Sequence, residues 1–231
     1  MLDGYKRYAV YAAPDRATPL GAFGASWLGW DAEAGVELRR PAIDALPEPI
    51  EALTVSASRY GFHGTLKAPF RLAEGRTPEG LAAAVAALAA ELRPIDAPLR
   101  LADLHGFIAL RPAEPSPDLA AIAFACVSRL DAFRAPPSEA DLARRRASGL
   151  SPRQDAHLAR WGYPYVDDEF HFHLTLTKRL EPDPGAAAIA ALSPHLAEAL
   201  AAPWRFDSLC LFGDPGGGAH FRLLSRFPMG G

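Results

Sequence analysis

Between Asp168 and Leu180 the chain reads DEFHFHLTLTKRL, with polar and apolar residues in alternation. Phe172, Leu174 and Leu176 fall on one side of that repeat and His171, His173, Thr175 and Thr177 on the other. A period of two marks a half-buried strand, because successive side chains leave a strand on opposite faces. Shorter alternations predict strands in KRYAVYAAP (6–14), RYGFHGTLKAPF (59–70) and WRFDSLCLFGD (204–214). LRLADLHGFIALRP (99–112) reads as two strands joined near His105-Gly106, and AHFRLLSRF (219–227) as the return strand after a PGGG turn.

Helices are predicted between these strands. Thr77-Pro78-Glu79 opens one that runs to about Leu92, with Thr as the cap, Pro in the first turn and Glu against the dipole. Others start at Ser116-Pro117, near 138, after Ser151-Pro152 and at Pro184, the last with an interruption near Ser193-Pro194. A short helix is expected within 19–31. Pro41, Pro47 and Pro49 leave 32–58 as loop, with a helical turn around Ile50–Ser56.

The order of elements repeats. A strand, an Ala-rich helix and two strands joined by a turn occupy about 59–112 and again about 168–227. The expected architecture is α+β: one bilobal domain over 1–231, with two pseudo-symmetric antiparallel-sheet lobes, helices outside and a central cleft.

The 231 residues can bury a sizeable core. A net charge of −3 and the lack of a long basic run argue against duplex nucleic acid as a partner. LAAAVAALAA (81–90) is the longest apolar stretch, about half of what a membrane span needs, so no membrane partner is expected. Two cysteines without metal spacing and no apparent signal peptide suit a cytoplasmic protein. A monomer is expected. Lysine is rare: only Lys6, Lys67 and Lys178 occur, and two of them follow His-x-Thr triplets, in HGTLK (63–67) and HLTLTK (173–178).

In regular strands His63, Thr65 and Lys67 would share one face, and His171, His173, Thr175 and Thr177 another. Lys178 falls on the opposite parity, so a bulge or the strand's end would have to re-aim it. Two histidines across a cleft supply a base and an acid on opposite sides of one reacting atom. Thr65, Thr175, Thr177, Lys67 and Lys178 would donate to phosphoryl oxygens between them. His171 reads as a substrate contact and Tyr165 as a stacking surface at the rim. The chemistry suggested is hydrolysis of a small phosphodiester with no metal and no cofactor. Two alternatives stay open: a zinc-dependent hydrolase built on His171 and His173, with His63 as a third ligand, and a nucleotide- or RNA-binding module that turns nothing over.

The paired HGTLK and HLTLTK motifs resemble those of the 2H phosphoesterase, or LigT-like, superfamily. YGFHGTLKAPFRLA, GYPYVDDEFHFHLTLTKRL and RYAVYAAP resemble a bacterial branch associated with phosphonate metabolism, over essentially the whole chain. The resemblance implies a bilobal α+β fold, His63 and His173 as the proton-transfer pair, and Thr65 and Thr175 on phosphate. The implied substrates are 2′,3′-cyclic or 2′-5′ phosphodiesters or another small cyclic phosphate.

Overall fold

A computed structural model describes residues 2–230. Strand β1 (Arg7–Ala12) leads into α1 (Pro19–Leu28), the small hairpin β2 (Trp30–Asp31) and β3 (Val36–Glu37), and α2 (Ile50–Ser58). The first motif strand is β4 (Gly64–Phe70), followed by α3 (Pro78–Glu91), β5 (Ile95–Ala97), β6 (Leu99–Leu104) and β7 (Phe107–Pro112). Three helices, α4 (Pro117–Arg129), α5 (Glu139–Arg146) and α6 (Pro152–Trp161), precede the second motif strand β8 (Leu174–Arg179). The chain then runs through α7 (Pro182–Leu196), β9 (Trp204–Phe206), β10 (Ser208–Asp214) and β11 (Arg222–Pro228).

Helices α1, α3, α4 and α6 each begin with Ser or Thr followed by Pro, and each cap hydroxyl accepts a first-turn backbone N–H. Each such cap is worth about 1 kcal/mol and fixes where its helix starts. The β6–β7 hairpin turns at His105 and Gly106, both at positive φ (54° and 91°). That twist suits a tight two-residue hairpin, and Gly106 adopts it without a Cβ clash.

Seven strands form one antiparallel sheet in the order β11-β10-β1-β4-β8-β7-β6. The motif strands β4 and β8 are neighbours in its middle, yet they are joined only at Gly64 and Leu174. The hairpin that follows each motif strand does not pair with that strand. The β6–β7 hairpin, which comes after β4, lies beside β8, and β10–β11, which come after β8, join β4 through β1. The intervening β5 and β9 pair with each other, with Asp96 opposite Arg205. Antiparallel pairing of equivalent segments is the geometry of a local twofold. Val10, Leu66, Ile108, Leu110, Leu174, Leu176 and Leu211 point from the sheet into the main core, against Leu81, Val85, Ile122 and Leu192 of the helices.

Four local expectations change. Residues 168–173 are not strand: Asp167–Glu169 form a 3-10 turn and β8 starts at Leu174. Helix α7 runs through Pro194, which falls in its last turn. The segment 204–214 is split into two strands that pair with different partners. The proline-rich stretch 32–58 contributes β3 and a full helix. Among the described residues no helix is long and apolar enough to cross a membrane.

Candidate active site

His63 and His173 stand immediately before β4 and β8, and the residues that follow them, Gly64 and Leu174, are the pair that joins the two strands. Both rings are half-buried and held in the same way. His63 Nδ1 lies 2.9 Å from the Gly61 carbonyl and His173 Nδ1 lies 2.7 Å from the His171 carbonyl. A carbonyl only accepts, so each Nδ1 carries the proton and donates it, which leaves the lone pair of the neutral ring on Nε2. His63 Nε2 lies 3.2 Å from Thr65 Oγ1, whose hydroxyl can donate to it. Thr175, half-buried, holds the equivalent place after His173.

Burial lowers the pKa of both histidines. For His63 desolvation takes it down to about 4, against the Gly61 hydrogen bond and with the charge of His173 adding to the fall. His173 is also lowered, first by desolvation and then by Arg111 and His171. The two rings are thus close enough to repel each other when charged.

Two neighbours escape the sequence reading. Tyr11 of β1 stacks on His63, with ring centroids 3.7 Å apart and planes 21° from parallel, and is 1% exposed. Arg111 follows Ala109 and Leu110 on β7, which pair with Thr175 and Leu174, so the register puts it alongside His173. It is half-buried, and among the described residues it forms no ion pair with a carboxylate. Strand alternation alone could have placed both on this face. Knowing which strands are neighbours was the missing step.

Four other expectations need correction. The register of β1 on β4 slips between Tyr11↔Thr65 and Val10↔Lys67, and this bulge turns Lys67 out of step with Thr65. Lys67 is 3% exposed, and its Nζ donates to the Val127 carbonyl at 2.9 Å. Thr177 is fully buried; its hydroxyl accepts the Ile108 N–H at 3.0 Å, where the β7–β8 ladder is irregular. Lys178 pairs with Glu48 at 2.7 Å. His171 is exposed and serves the site through its carbonyl. No three His, Cys, Asp or Glu side chains converge as metal ligands among the described residues. Tyr165 is 43% exposed and meets Tyr163 edge-on.

A cavity of about 420 Å³ is lined by Arg7, Arg59 and Asp214 together with Lys67 and Val127. Arg7, Ala9 and Tyr11 alternate onto one face of β1, and Arg7 lines the cavity with Asp214, Lys67 and Tyr163. Burial raises the Tyr11 hydroxyl well above its ordinary pKa, and Tyr60, Tyr163, Arg7 and Asp214 act on it too. Tyr11, stacked on His63, is thus within electrostatic reach of Arg7, Asp214 and Tyr163 of the cavity.

The model of a family described as "Protein of unknown function (DUF1045)" matches residues 65–222. A "Ribose 1,5-bisphosphate phosphokinase PhnN" of Janthinobacterium sp. (strain Marseille) is 38% identical over 235 residues, covering 99% of this chain and 52% of that protein. A protein of the same name from Laribacter hongkongensis is 39% identical over 221 residues, 94% of this chain and 50% of that protein. The chain thus spans about half the length of the curated relatives it matches. Among solved structures, E. coli LigT complexed with NADP+ aligns over 98% of this chain and 99% of its own, with 14% identity and a TM-score of 0.47. LigT complexed with 3′-AMP aligns over 97% and 98%, with 13% identity and a TM-score of 0.47.

Proposed function

The chain belongs to the DUF1045 family, and from the geometry at its paired histidines we propose that it is a metal-independent phosphodiesterase acting on a small cyclic phosphate. One observation carries this reading. Two histidines at equivalent places, each fixed through Nδ1 to the carbonyl two residues before it, offer Nε2 from strands that meet at a single residue pair. Fixed tautomers and shared position are what paired proton transfer needs.

Burial holds His63 down to about 4, which keeps it neutral and assigns it the role of base, with His173 as the acid. His63 Nε2 takes a proton from water as its oxygen attacks phosphorus. His173 gives the Nε2 proton to the leaving alkoxide as the P–O bond breaks, so a cyclic diester and water become a phosphate monoester. Thr65 and Thr175 donate to the non-bridging oxygens. Arg111, not Lys67 or Lys178, brings positive charge to them. Tyr11 keeps the His63 ring in plane.

The kinase activity in the relatives' name is said of proteins twice as long, and this chain has no Gly-Lys-Ser/Thr phosphate loop. The ribose bisphosphate in that name is a small sugar phosphate, the size of substrate proposed here. The test is hydrolysis, in excess EDTA, of 2′,3′-cyclic nucleotides, ADP-ribose 1″,2″-cyclic phosphate and ribose 1,2-cyclic phosphate. Turnover by the native protein that is lost in both His63→Ala and His173→Ala supports the reading. Turnover that survives either substitution, or that needs added zinc, sinks it. Tight binding without turnover would point instead to a binding module.

A further inference from the structure

The cavity lined by Arg7 and Arg59 collects charge in a way the rest of the molecule does not. The protein is net negative, yet eight of its 24 lysines and arginines line this one space. Three carboxylates serve them, and each is shared by two cations. Asp214, 1% exposed, holds Arg7 at 2.6 Å and Arg59 at 3.3 Å. Asp141 holds Arg71 at 3.1 Å and Arg144 at 2.8 Å. Asp131 holds Arg134 at 2.8 Å, with Lys67 at 3.7 Å. Lys6 and Arg145 have no carboxylate partner among the described residues; Arg145 lies over the Tyr163 ring, 5.0 Å from its centroid. Eight cations against three carboxylates leave five positive charges unmatched around a space of about 420 Å³. Like charges held this close repel one another, and the arrangement is relieved when an anion enters.

Position says which anion. Arg7 and Arg59 of the cavity lie over the Phe221 ring, which is 6.4 Å from Tyr11, the residue stacked on His63. Arg59 lies over the Tyr60 ring, 5.8 Å from its centroid, and that ring lies 6.1 Å from His63, so the separation suits two groups on one small molecule, not two molecules. The excess charge calls for a dianion, and arginine forks suit phosphate oxygens in pairs. The aromatic walls, Tyr163, Trp161 and Phe70, would cover the apolar part of the same ligand.

We infer that this cavity holds a second phosphate group of the substrate, so that the substrate class is a cyclic phosphodiester bearing a phosphate monoester elsewhere on the same sugar. This rests on the phosphodiesterase reading for the reacting end alone. The scissile diester lies at the histidines and the monoester lies among the arginines.

The probes are adenosine 2′,3′-cyclic phosphate and the same compound with a 5′-phosphate, compared at fixed ionic strength on the native protein and on the Lys6→Gln/Arg145→Gln double variant. Neither substitution breaks an ion pair, and circular dichroism confirms that the variant is folded. The 5′-phosphate is expected to raise kcat/KM about tenfold or more, the size of one charge-assisted hydrogen bond, and the double variant to bring that ratio down toward one. Turnover of both probes at the same kcat/KM, or a ratio indifferent to the substitutions, overturns the second-phosphate site and leaves the phosphodiesterase reading intact. If neither probe is hydrolysed, calorimetric binding decides. A tighter Kd for the 5′-phosphorylated probe that weakens in the double variant supports the site without the catalytic reading; equal Kd values overturn it.

Discussion

Gly64 and Leu174 face each other as the single backbone pair between the two motif strands, and each directly follows a candidate catalytic histidine. The spacing of His63 and His173 is therefore set by one close approach. A Cβ on Gly64 would lie 2.4 Å from the nearest ring carbons of Phe172. Gly64→Ala is expected to push the strands apart, at a stability cost of about 1–3 kcal/mol from overpacking. Activity on a cyclic phosphate should drop more steeply, about a hundredfold for a displacement near 1 Å. Denaturant titration and kcat on one sample separate the two effects.

The pH profile follows from the lowered histidines. With His63 held down to about 4 and His173 lowered from the ordinary histidine range, the free protein is in the productive state, His63 neutral and His173 charged, in an acidic window that opens near pH 4 and closes as His173 loses its proton. A bell in kcat/KM is expected, with its acid limb near pH 4 and its alkaline limb below 6.5. A plateau extending to pH ~8 would contradict the assignment of acid and base.

Arg111 lowers the His173 pKa, so its removal has a signed consequence. In Arg111→Gln the alkaline limb should move to higher pH while kcat/KM at the optimum falls by about 10²–10³, the usual loss for one stabilising donor. A fall in rate with an unmoved limb would mean that Arg111 acts on substrate without touching the histidine.

Thr177 lies outside the site, and its substitution should show it. Thr177→Val strands the buried Ile108 N–H and is expected to cost about 1–3 kcal/mol of stability. The kcat of the folded fraction should stay close to the native value, as measured by active-site-independent normalisation to folded protein. Lys178→Gln breaks a half-exposed pair with Glu48 and should change stability by less than about 1 kcal/mol.

The histidines and their threonines were legible because strand alternation is local: a period of two puts His63 with Thr65 and His173 with Thr175 wherever the strands end up. The lysines were not. A bulge between Thr65 and Lys67 changes parity without leaving a mark in HGTLK, and the partner of Lys178, Glu48, lies 130 residues away. Thr177 repeats the Thr175 pattern but meets an irregularity on another strand. The repeat of elements was visible, whereas the exchange of hairpins between the motif strands depends on long-range pairing. The charged cavity was invisible for the same reason. Its cations lie at 6, 7, 59, 67, 71, 134, 144 and 145, and Arg144 and Arg145, read in sequence, look like one solvated helix face.

The exchanged hairpins also bear on how the molecule reaches its native state. Because β6–β7 complete the sheet beside β8, and β10–β11 complete it on the side of β4, neither repeat can finish its own sheet from its own residues. The histidine pair then exists only after contacts spanning more than a hundred residues have formed, since Tyr11 must find Cys210 and Gly64 must find Leu174. Chains dominated by such distant pairings fold slowly. Catalytic competence should thus emerge in the final phase of refolding, with the closure of the whole sheet, and later than helix signals that report α3 or α4 alone.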